Sequence, residues 1–163
     1  MDYKKIFSLK NKQVLIVGGL GLIGKEISVA CLHLGAKIII IDNNIKNSIK
    51  FKIEHKSFKN NFKIYNYDIA NNKNIIKFKN LLNQYKKINI FINSLYLKDK
   101  NWEKQNFDHL NFSSFFKNIE MNMISNFLLS NLVAEHMKNN KVKGSIVFLN
   151  SIYGLVGQDM SLY

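Results

Sequence analysis

The sequence predicts an α/β protein with a doubly wound parallel sheet in three α/β/α layers. Short apolar runs rich in Ile and Val alternate with segments in which apolar residues recur at helical spacing. Strands covered on both faces have this composition, and a strand–helix–strand order implies parallel strands joined by right-handed crossovers. No linker or internal repeat interrupts the 163 residues, so we expect a single domain over residues 1–163.

Five apolar runs are predicted to be the strands. They are QVLIV (13–17), KIIIID (37–42), FKIYNYD (62–68), INIFIN (88–93) and GSIVFLN (144–150). Each run is short and most are dominated by β-branched residues, which favours buried strands.

The first helical segment follows the first strand. Its predicted buried face consists of Ile23, Ile27, Ala30, Cys31 and Leu34. Gly35 is expected to end this helix in a left-handed conformation. Cys31 on the buried face is expected to be an inert thiol, because a single cysteine forms no internal disulfide.

Two further helices are predicted. The apolar face of one consists of Ile75, Phe78, Leu82 and Tyr85. Asn111 is expected to cap the other, which continues past Asn122 into the run NFLLSNLVAEHMKNN.

The turn after the first strand contains four of the eight glycines in the chain, within GGLGLIG. A strand ending at Val17 leads into a helix that begins near Gly21, so backbone N–H groups and a helix N-terminus point at one spot. Gly18 would permit the tight turn, Gly21 would let backbone approach a phosphate, and Gly24 would let helix and strand pack closely. The pattern predicts a Rossmann-type pyrophosphate site.

Asp42 stands at the end of the second strand, 18 residues after Gly24 (42 − 24). A carboxylate there can bind both ribose hydroxyls of NAD and would repel the 2′-phosphate of NADP. We therefore expect NAD as the cofactor, with NADP disfavoured. The alternative is that Asp42 serves only as a turn residue in IDNN.

These motifs resemble the short-chain dehydrogenase/reductase family from the first strand to the last residue. The similar stretches are, in order, VGGLGLIG, YNYDIA, FINSLY, MNMISNF and FLNSIYG. Two departures are clear: Val17 stands where the family usually has Thr, and only Asn93 of the family's Asn-Asn-Ala-Gly motif is kept.

The resemblance implies an oxidoreductase that transfers a hydride between NAD(H) and a carbonyl or alcohol carbon of a small-molecule substrate. Asp68 would contact adenine, Ser151 would steady the substrate oxygen and Asn122 would hold a water. We also assign Leu22, Ile23, Ile69 and Asn93 to cofactor binding.

The family's catalytic Tyr and Lys would follow Ser151. Tyr163 lies 12 residues after it (163 − 151) and is an uncertain candidate for that Tyr, with no Lys behind it. We expect an N-terminal fragment of a longer enzyme that is inactive alone and homo-oligomeric when full length. The strand at 144–150 should then form a sheet edge, and Phe127, Leu128 and Leu132 should lack a partner helix. The alternative is a non-catalytic NAD-binding sensor or partner subunit.

Within the family, the loop with Tyr96 and Trp102 and the stretch 152–154 look most like the subgroup that modifies flagellin and lipopolysaccharide sugars, which would make the substrate a sugar. Aromatic packing under the loop is an equally good account of Tyr96 and Trp102.

Composition disfavours several other functions. The formal charge of +13 invites a nucleic-acid partner, but all 24 basic residues are lysines spread along the chain, and none is Arg. The four histidines form no metal-ligand spacing, so we expect no metal. His136 is expected to be a last-turn helix residue and not a catalytic base. No apolar run is long enough to span a membrane, and we expect a cytoplasmic protein.

Overall fold

A computed structural model describes residues 3–69, 73–98, 100–101 and 111–157. It confirms the doubly wound α/β fold: five parallel strands form one sheet in the order β3-β2-β1-β4-β5. The strands are β1 Gln13–Val17, β2 Lys37–Asp42, β3 Phe62–Asn66, β4 Ile90–Asn93 and β5 Ser145–Phe148.

Helices cover both faces of the sheet. They are α1 Tyr3–Ile6, α2 Leu22–His33, α3 Ile45–Glu54, α4 Lys73–Leu82, α5 Phe112–Ile119 and α6 Ser125–Asn139. Alternate residues of β1 face opposite layers, because side chains of a strand alternate between its two faces. Leu15 and Val17 pack in one core with α4 and α6, and Val14 and Ile16 pack in the other with α2 and α3. Among the described helices, none has the length and apolar content needed to cross a membrane.

Three strands are shorter than the sequence predicted. β3 ends at Asn66 and not at residue 68, because its partner β2 ends at Asp42, which pairs with Asn66. β4 begins at Ile90 because its register with β1 starts at the Val14–Ile90 pair. β5 spans Ser145–Phe148, the length of β4 to which it pairs.

The buried face of α2 differs from the prediction. It consists of Gly24, Ser28, Cys31 and Leu32. Ile23 is 60% exposed, and Ala30 and Leu34 are exposed as well. The reason is close packing: Gly24 lies against the turn after β1, and the Ser28 hydroxyl donates to the Gly19 carbonyl at 2.9 Å. Cys31 is buried as predicted, and Gly35 has a φ of 91°.

Helix α3 was not predicted. Ile45, Ile49 and Ile53 recur there at helical spacing among lysines, but these side chains are exposed, and the buried residues of the helix are Ser48 and Phe51. The start of the helix is marked by Asn44, whose side chain accepts a hydrogen bond from the Asn47 N–H at 3.0 Å.

The other two predicted helices are present, but α4 ends at Leu82, so Tyr85 of its predicted face lies beyond the helix. Phe78 and Leu82 of α4 are buried, and the Asn111 side chain caps α5 by accepting from the Ser114 N–H at 3.0 Å. The predicted continuous helix is interrupted between α5 and α6 by a π-helical turn, Glu120–Ile124, which contains Asn122. Such turns are frequent at functional sites.

The region around β5 is open. β5 is an edge strand as predicted, but it is not covered on both faces, since Val147 and Phe148 are exposed. Phe127 and Leu128 are also exposed, whereas Leu132 packs against the core.

Candidate functional site

The carboxyl ends of four strands surround one cleft of about 160 Å³. Its lining consists of Gly18, Gly21, Ile41, Asp42, Asn43, Tyr67, Asp68, Ile69, Ser94, Leu95, Tyr96 and Leu97. Ligands of open α/β sheets bind at this end, where the strand order reverses. In this sheet β1 lies at that point, because the chain continues to β2 on one side and β4 lies on the other.

The turn after β1 requires glycine at two positions. Gly18 has a φ of 72°, and a Cβ there would lie 3.1 Å from the Ser94 carbonyl. A Cβ on Gly24 would collide with the Gly18 carbonyl oxygen and lie 2.6 Å from Ser94 Oγ. The two glycines therefore let α2 and the end of β4 close upon the turn.

Gly21 is different, because nothing in the described protein requires a glycine there. Its backbone is ordinary, with φ −70° and ψ 178°, and a Cβ would meet only the Gly18 carbonyl oxygen, at 3.4 Å. Gly21 is exposed, lines the cleft and caps α2 without a side-chain hydrogen bond. The missing Cβ leaves room beside free helix N-terminal N–H groups, which fits a pyrophosphate.

Asp42 ties the end of β2 to the glycine turn. One carboxylate oxygen accepts from the Leu20 N–H at 2.9 Å, and the other accepts from the Asn44 N–H at 2.9 Å. The bond from the Asn44 N–H is the one expected if Asp42 serves as a turn residue, which was the alternative drawn from the sequence. Because a carboxylate oxygen has two lone pairs, each retains acceptor capacity for a hydroxyl group.

The other residues assigned to the cofactor divide into three sets. Asp68 is exposed and Ile69 is 4% exposed, and both line the cleft. Leu22 and Ile23 are exposed on the first turn of α2 and are not part of the cleft lining. Asn93 is buried at the end of β4, behind the cleft wall.

Asn122 holds the loop that follows β4. Its Nδ2 donates to the Leu97 carbonyl at 2.7 Å, and its Oδ1 accepts from the Leu97 N–H at 2.8 Å. This pair of bonds reproduces the pattern of two paired backbone residues. Asn122 does not line the cleft itself but holds the backbone of Leu97, which does.

Ser151 lies apart from this cluster. It is exposed, and its Oγ accepts from the Tyr153 N–H at 3.2 Å in the turn after β5. No contact within the described ranges joins Ser151 to Asn122 or to the cleft lining. Tyr163, Trp102 and His109 lie outside the described residues. Tyr96 lines the cleft and is 62% exposed.

Two residues of the site were missed in the sequence. The Ser94 hydroxyl lies 2.8 Å from the Val17 carbonyl oxygen and 3.0 Å from that of Gly18, so it fastens the turn to β4. Asn126 lies between Asn93 and Asn122 and bonds to both. The available hints were a Ser directly after the β4 run and an Asn one helical turn beyond Asn122.

Both charged residues of the cleft lining are acidic, and Lys98 lies next to the cleft, with its Nζ 5.9 Å from the centre of the Tyr96 ring. Asp42 and Asp68 are the charged residues of the lining, which contains no lysine. Burial, aided by the neighbouring Tyr65, raises the pKa of Tyr67 to about 12, so its phenol stays neutral. In the part of the chain that the structure describes, no group of three His, Cys, Asp or Glu residues is placed to hold a metal.

Comparison with known proteins matches residues 12–163 to the sequence profile of the short chain dehydrogenase family. No curated protein matches the chain.

Solved structures are similar in fold. A short chain dehydrogenase from Leptospira borgpetersenii with bound NAD+ is 30% identical with a TM-score of 0.81, covering 100% of this chain and 59% of its own. A short-chain type dehydrogenase/reductase from Mycobacterium marinum is 18% identical with a TM-score of 0.82, covering 97% and 63%. RhlG of Pseudomonas aeruginosa, solved as an active-site complex with NADP, is 16% identical with a TM-score of 0.79, covering 94% and 59%. The chain thus spans about three fifths of the length of these proteins.

Proposed function

The chain belongs to the short chain dehydrogenase family, and we propose that it is the dinucleotide-binding part of an oxidoreductase acting on a carbonyl or alcohol carbon of a small molecule. Bound NAD(H) would accept or supply the hydride. The residues of the chain would bind and orient that cofactor.

The observation that carries this proposal is Gly21. The folded chain accommodates a Cβ at this position, so the small residue is explained by something that approaches the backbone from the cleft. The free N–H groups of α2 beside it favour an anionic group. Asp42 lies across the same cleft, where a ribose would follow the pyrophosphate.

We propose NAD and not NADP as the preferred cofactor. Asp42 and Asp68 would repel an additional phosphate, and the cleft lining offers no lysine to neutralise it. Relatives with either cofactor are known, since the Leptospira protein carries NAD+ and RhlG carries NADP. The choice in this chain therefore depends on its own charges.

Ser151 is proposed as the residue that steadies the substrate oxygen, and Asn122 as the residue that holds a water in the proton relay. We propose that the Tyr and Lys that the family uses for proton transfer belong to a longer protein, since this chain spans about three fifths of the length of its solved relatives. Tyr163 remains a candidate for that Tyr. A sugar substrate rests only on the likeness of the Tyr96 loop and of 152–154 to the flagellin and lipopolysaccharide subgroup.

We also propose that the full-length protein is a homo-oligomer. The outer surface of α5, the π turn and α6 carries exposed apolar side chains: Phe112, Phe115, Phe116, Met123, Ile124, Phe127 and Leu128. A groove of about 830 Å³ lies against α4 on this side. Exposed apolar groups of this kind are typical of association surfaces.

Dinucleotide titration tests the cofactor assignment. We expect NADH to bind more tightly than NADPH, and Gly21→Val to weaken NADH binding at least about tenfold by blocking the phosphate approach. The matched control is Gly154→Val, an exposed glycine whose Cβ would meet nothing closer than 3.8 Å. Unchanged NADH affinity in a folded Gly21→Val protein would contradict the proposal.

Substitution of Asp42 tests the preference between the two cofactors. Asp42→Ala should weaken NADH and improve NADPH relative to it, because the repulsion is lost. Asp42→Asn separates charge from geometry, since an amide oxygen can still accept one of the two backbone N–H bonds. A preference for NADPH in the unsubstituted chain would refute the assignment.

Turnover and association are tested by comparing this chain with an extended one. We expect the 163-residue chain to bind NADH without turnover and to self-associate. A version extended through a Tyr-x-x-x-Lys segment and further strands should be a soluble oligomer with dehydrogenase activity. An extended chain that binds NADH and remains inactive would favour the sensor or partner subunit. A monomeric short chain with turnover would assign the acid to Tyr163.

A further inference from the structure

Three asparagines are joined by a series of hydrogen bonds from β4 to the π turn, through two side chains and the backbone of Asn122. The Asn93 Nδ2 donates to Asn126 Oδ1 at 2.9 Å, and the Asn126 Nδ2 donates to the backbone carbonyl of Asn122 at 2.6 Å. The Asn93 Oδ1 accepts from the Leu95 N–H at 3.1 Å. Asn122 then bonds Leu97 through both of its side-chain atoms.

The direction of every amide in this chain is fixed from its ends. The Asn122 carbonyl can only accept, so the nitrogen of Asn126 must face it and the oxygen of Asn126 must face Asn93. The nitrogen of Asn93 therefore points to Asn126 and its oxygen to Leu95, whose N–H can only donate. A side-chain amide can donate and accept at the same time, because its nitrogen carries the donors and its oxygen the acceptor sites.

The chain of amides supports one wall of the cleft. The segment from Leu95 to Leu97 lines the cleft, and its two outer N–H groups are held by Asn93 and Asn122. Asn93 and Asn122 do not bond to each other. Asn126 is the residue that sets their relative positions.

Asn126 also acts on the π turn. The turn is widened between Glu120 and Ile124, and side chains from the following residues reach back to its carbonyls. The Ser125 Oγ donates to the Glu120 carbonyl at 3.0 Å, and Asn126 donates to that of Asn122. Side chains that bond to the carbonyls of a helix often bend it locally.

We propose that Asn126 is a positioning residue of the dinucleotide site. It couples the end of β4 to the turn that carries Asn122 and so orders the cleft wall from Leu95 to Leu97. The role in a dinucleotide site rests on the proposed function, but the ordering of the segment from Leu95 to Leu97 can be tested without any dinucleotide.

The test is amide hydrogen exchange measured by NMR on the 163-residue chain and on Asn126→Asp. The carboxylate keeps the shape and can still accept from Asn93, but it has no donor for the Asn122 carbonyl. We expect the amides of Leu95 and Leu97 to exchange about tenfold faster, although neither is bonded to Asn126. The Asn89 amide, which donates to the Gln13 carbonyl at 2.9 Å at the other end of β4, should be unchanged.

Two controls isolate the effect. Asn131→Asp makes the same charge change on an exposed position of α6 and should leave all these amides unchanged. Asn126→Ala, which removes both hydrogen bonds without adding charge, should reproduce the faster exchange of Leu95 and Leu97. It serves as the test if Asn126→Asp does not fold.

The outcomes separate this inference from the proposed function. Unchanged exchange at Leu95 and Leu97 overturns the positioning role, and so does an equal acceleration of these amides and Asn89, which would show a general loss of stability. NADH titration of the same variants should show about tenfold weaker binding for Asn126→Asp and none of this loss for Asn131→Asp. If the unsubstituted chain binds no NADH, the proposed function fails while the exchange result stands.

Discussion

Two regions of the molecule differ in how completely they are buried. The nucleotide region, residues 13–69 and 90–97, includes two strands whose central residues are at most 1% exposed. The β5 region, residues 111–128 and 145–157, exposes Phe148 by 48%, Phe127 by 69% and Leu155 by 90%. The first region contains the glycine turn and Asp42, and the second contains Ser151.

The contrast shows which region buries its apolar side chains within the chain itself and which leaves them exposed. In the nucleotide region, α2, α3 and their strands enclose a core, and the turn residues bond to one another across three strand ends. In the β5 region, large apolar side chains such as Phe127, Phe148 and Leu155 stay exposed. We therefore expect cofactor binding to be independent of the exposed apolar side chains of the β5 region, and substitutions of phenylalanine and glycine to have very different effects in the two regions.

The largest difference is expected for removal of a phenylalanine ring. Phe91→Ala removes a fully buried ring of β4 and should lower the free energy of unfolding by about 3–5 kcal/mol. Phe127→Ala removes a ring that is 69% exposed and should change it by no more than about 0.5 kcal/mol. Urea unfolding of both variants checks this. Equal losses would mean that the β5 region is packed in solution.

The same contrast explains how much the sequence could predict. The strands β1 and β2 of the nucleotide region could be predicted from the sequence, because they are buried on both faces and consist mainly of apolar residues. Helix α3 was missed although Ile45, Ile49 and Ile53 are spaced as in a helix, and the helix buries Ser48 and Phe51 in place of these isoleucines. The buried face of α2 was wrong because glycine and serine, which allow the close approach, carry no hydrophobic pattern.

The candidate site was predictable where the type and spacing of single residues suggest a cofactor contact, and it was not predictable where its residues bond to one another. The glycines and Asp42 follow from spacing along the chain. Ser94 and Asn126 depend on which strand end faces which helix turn, and this is fixed only by the tertiary structure. Polar residues that bond to carbonyl groups look like ordinary loop or helix-surface residues in the sequence.

A second prediction concerns the glycines of the two regions. Gly24→Val would drive a branched side chain into the Gly18 carbonyl and Ser94, and should cost about 3 kcal/mol or more of folding free energy. Gly157→Val, in the β5 region, has no atom within 4 Å of the added Cβ and should be neutral. Thermal unfolding followed by circular dichroism distinguishes them. A neutral Gly24→Val would mean that α2 does not pack on the turn as described.

Smaller effects are expected for the hydroxyl that fastens the glycine turn. Ser94→Ala removes the bond to the Val17 and Gly18 carbonyls and should cost about 1 kcal/mol, with weaker NADH binding because the turn is less ordered. Ser130→Ala is the control, since its Oγ bonds to the Asn126 carbonyl in its own helix at 2.7 Å. It should leave NADH binding unchanged. Equal NADH affinities of the two variants would remove Ser94 from the site.

The smallest effect is expected for two tyrosines of the nucleotide region, where the two substitutions should change the free energy of unfolding in different directions. The Tyr65 hydroxyl is 2.9 Å from that of Tyr85, whereas the buried Tyr67 hydroxyl has no hydrogen-bond partner among the described residues. Tyr65→Phe should therefore destabilise the protein by about 1 kcal/mol, and Tyr67→Phe should be neutral or stabilising, because it removes a desolvated polar group. Burial raises the pKa of Tyr67 from 10.0 to about 12 in the folded protein, whereas the same phenol ionises near pH 10 when the chain is unfolded. The unsubstituted chain should therefore lose stability between pH 10 and pH 12. Tyr67→Phe lacks this phenol and should become more stable relative to the unsubstituted chain over the same range. A destabilised Tyr67→Phe at neutral pH would show that the hydroxyl has a partner, and that the nucleotide region is more fully bonded than its described contacts indicate.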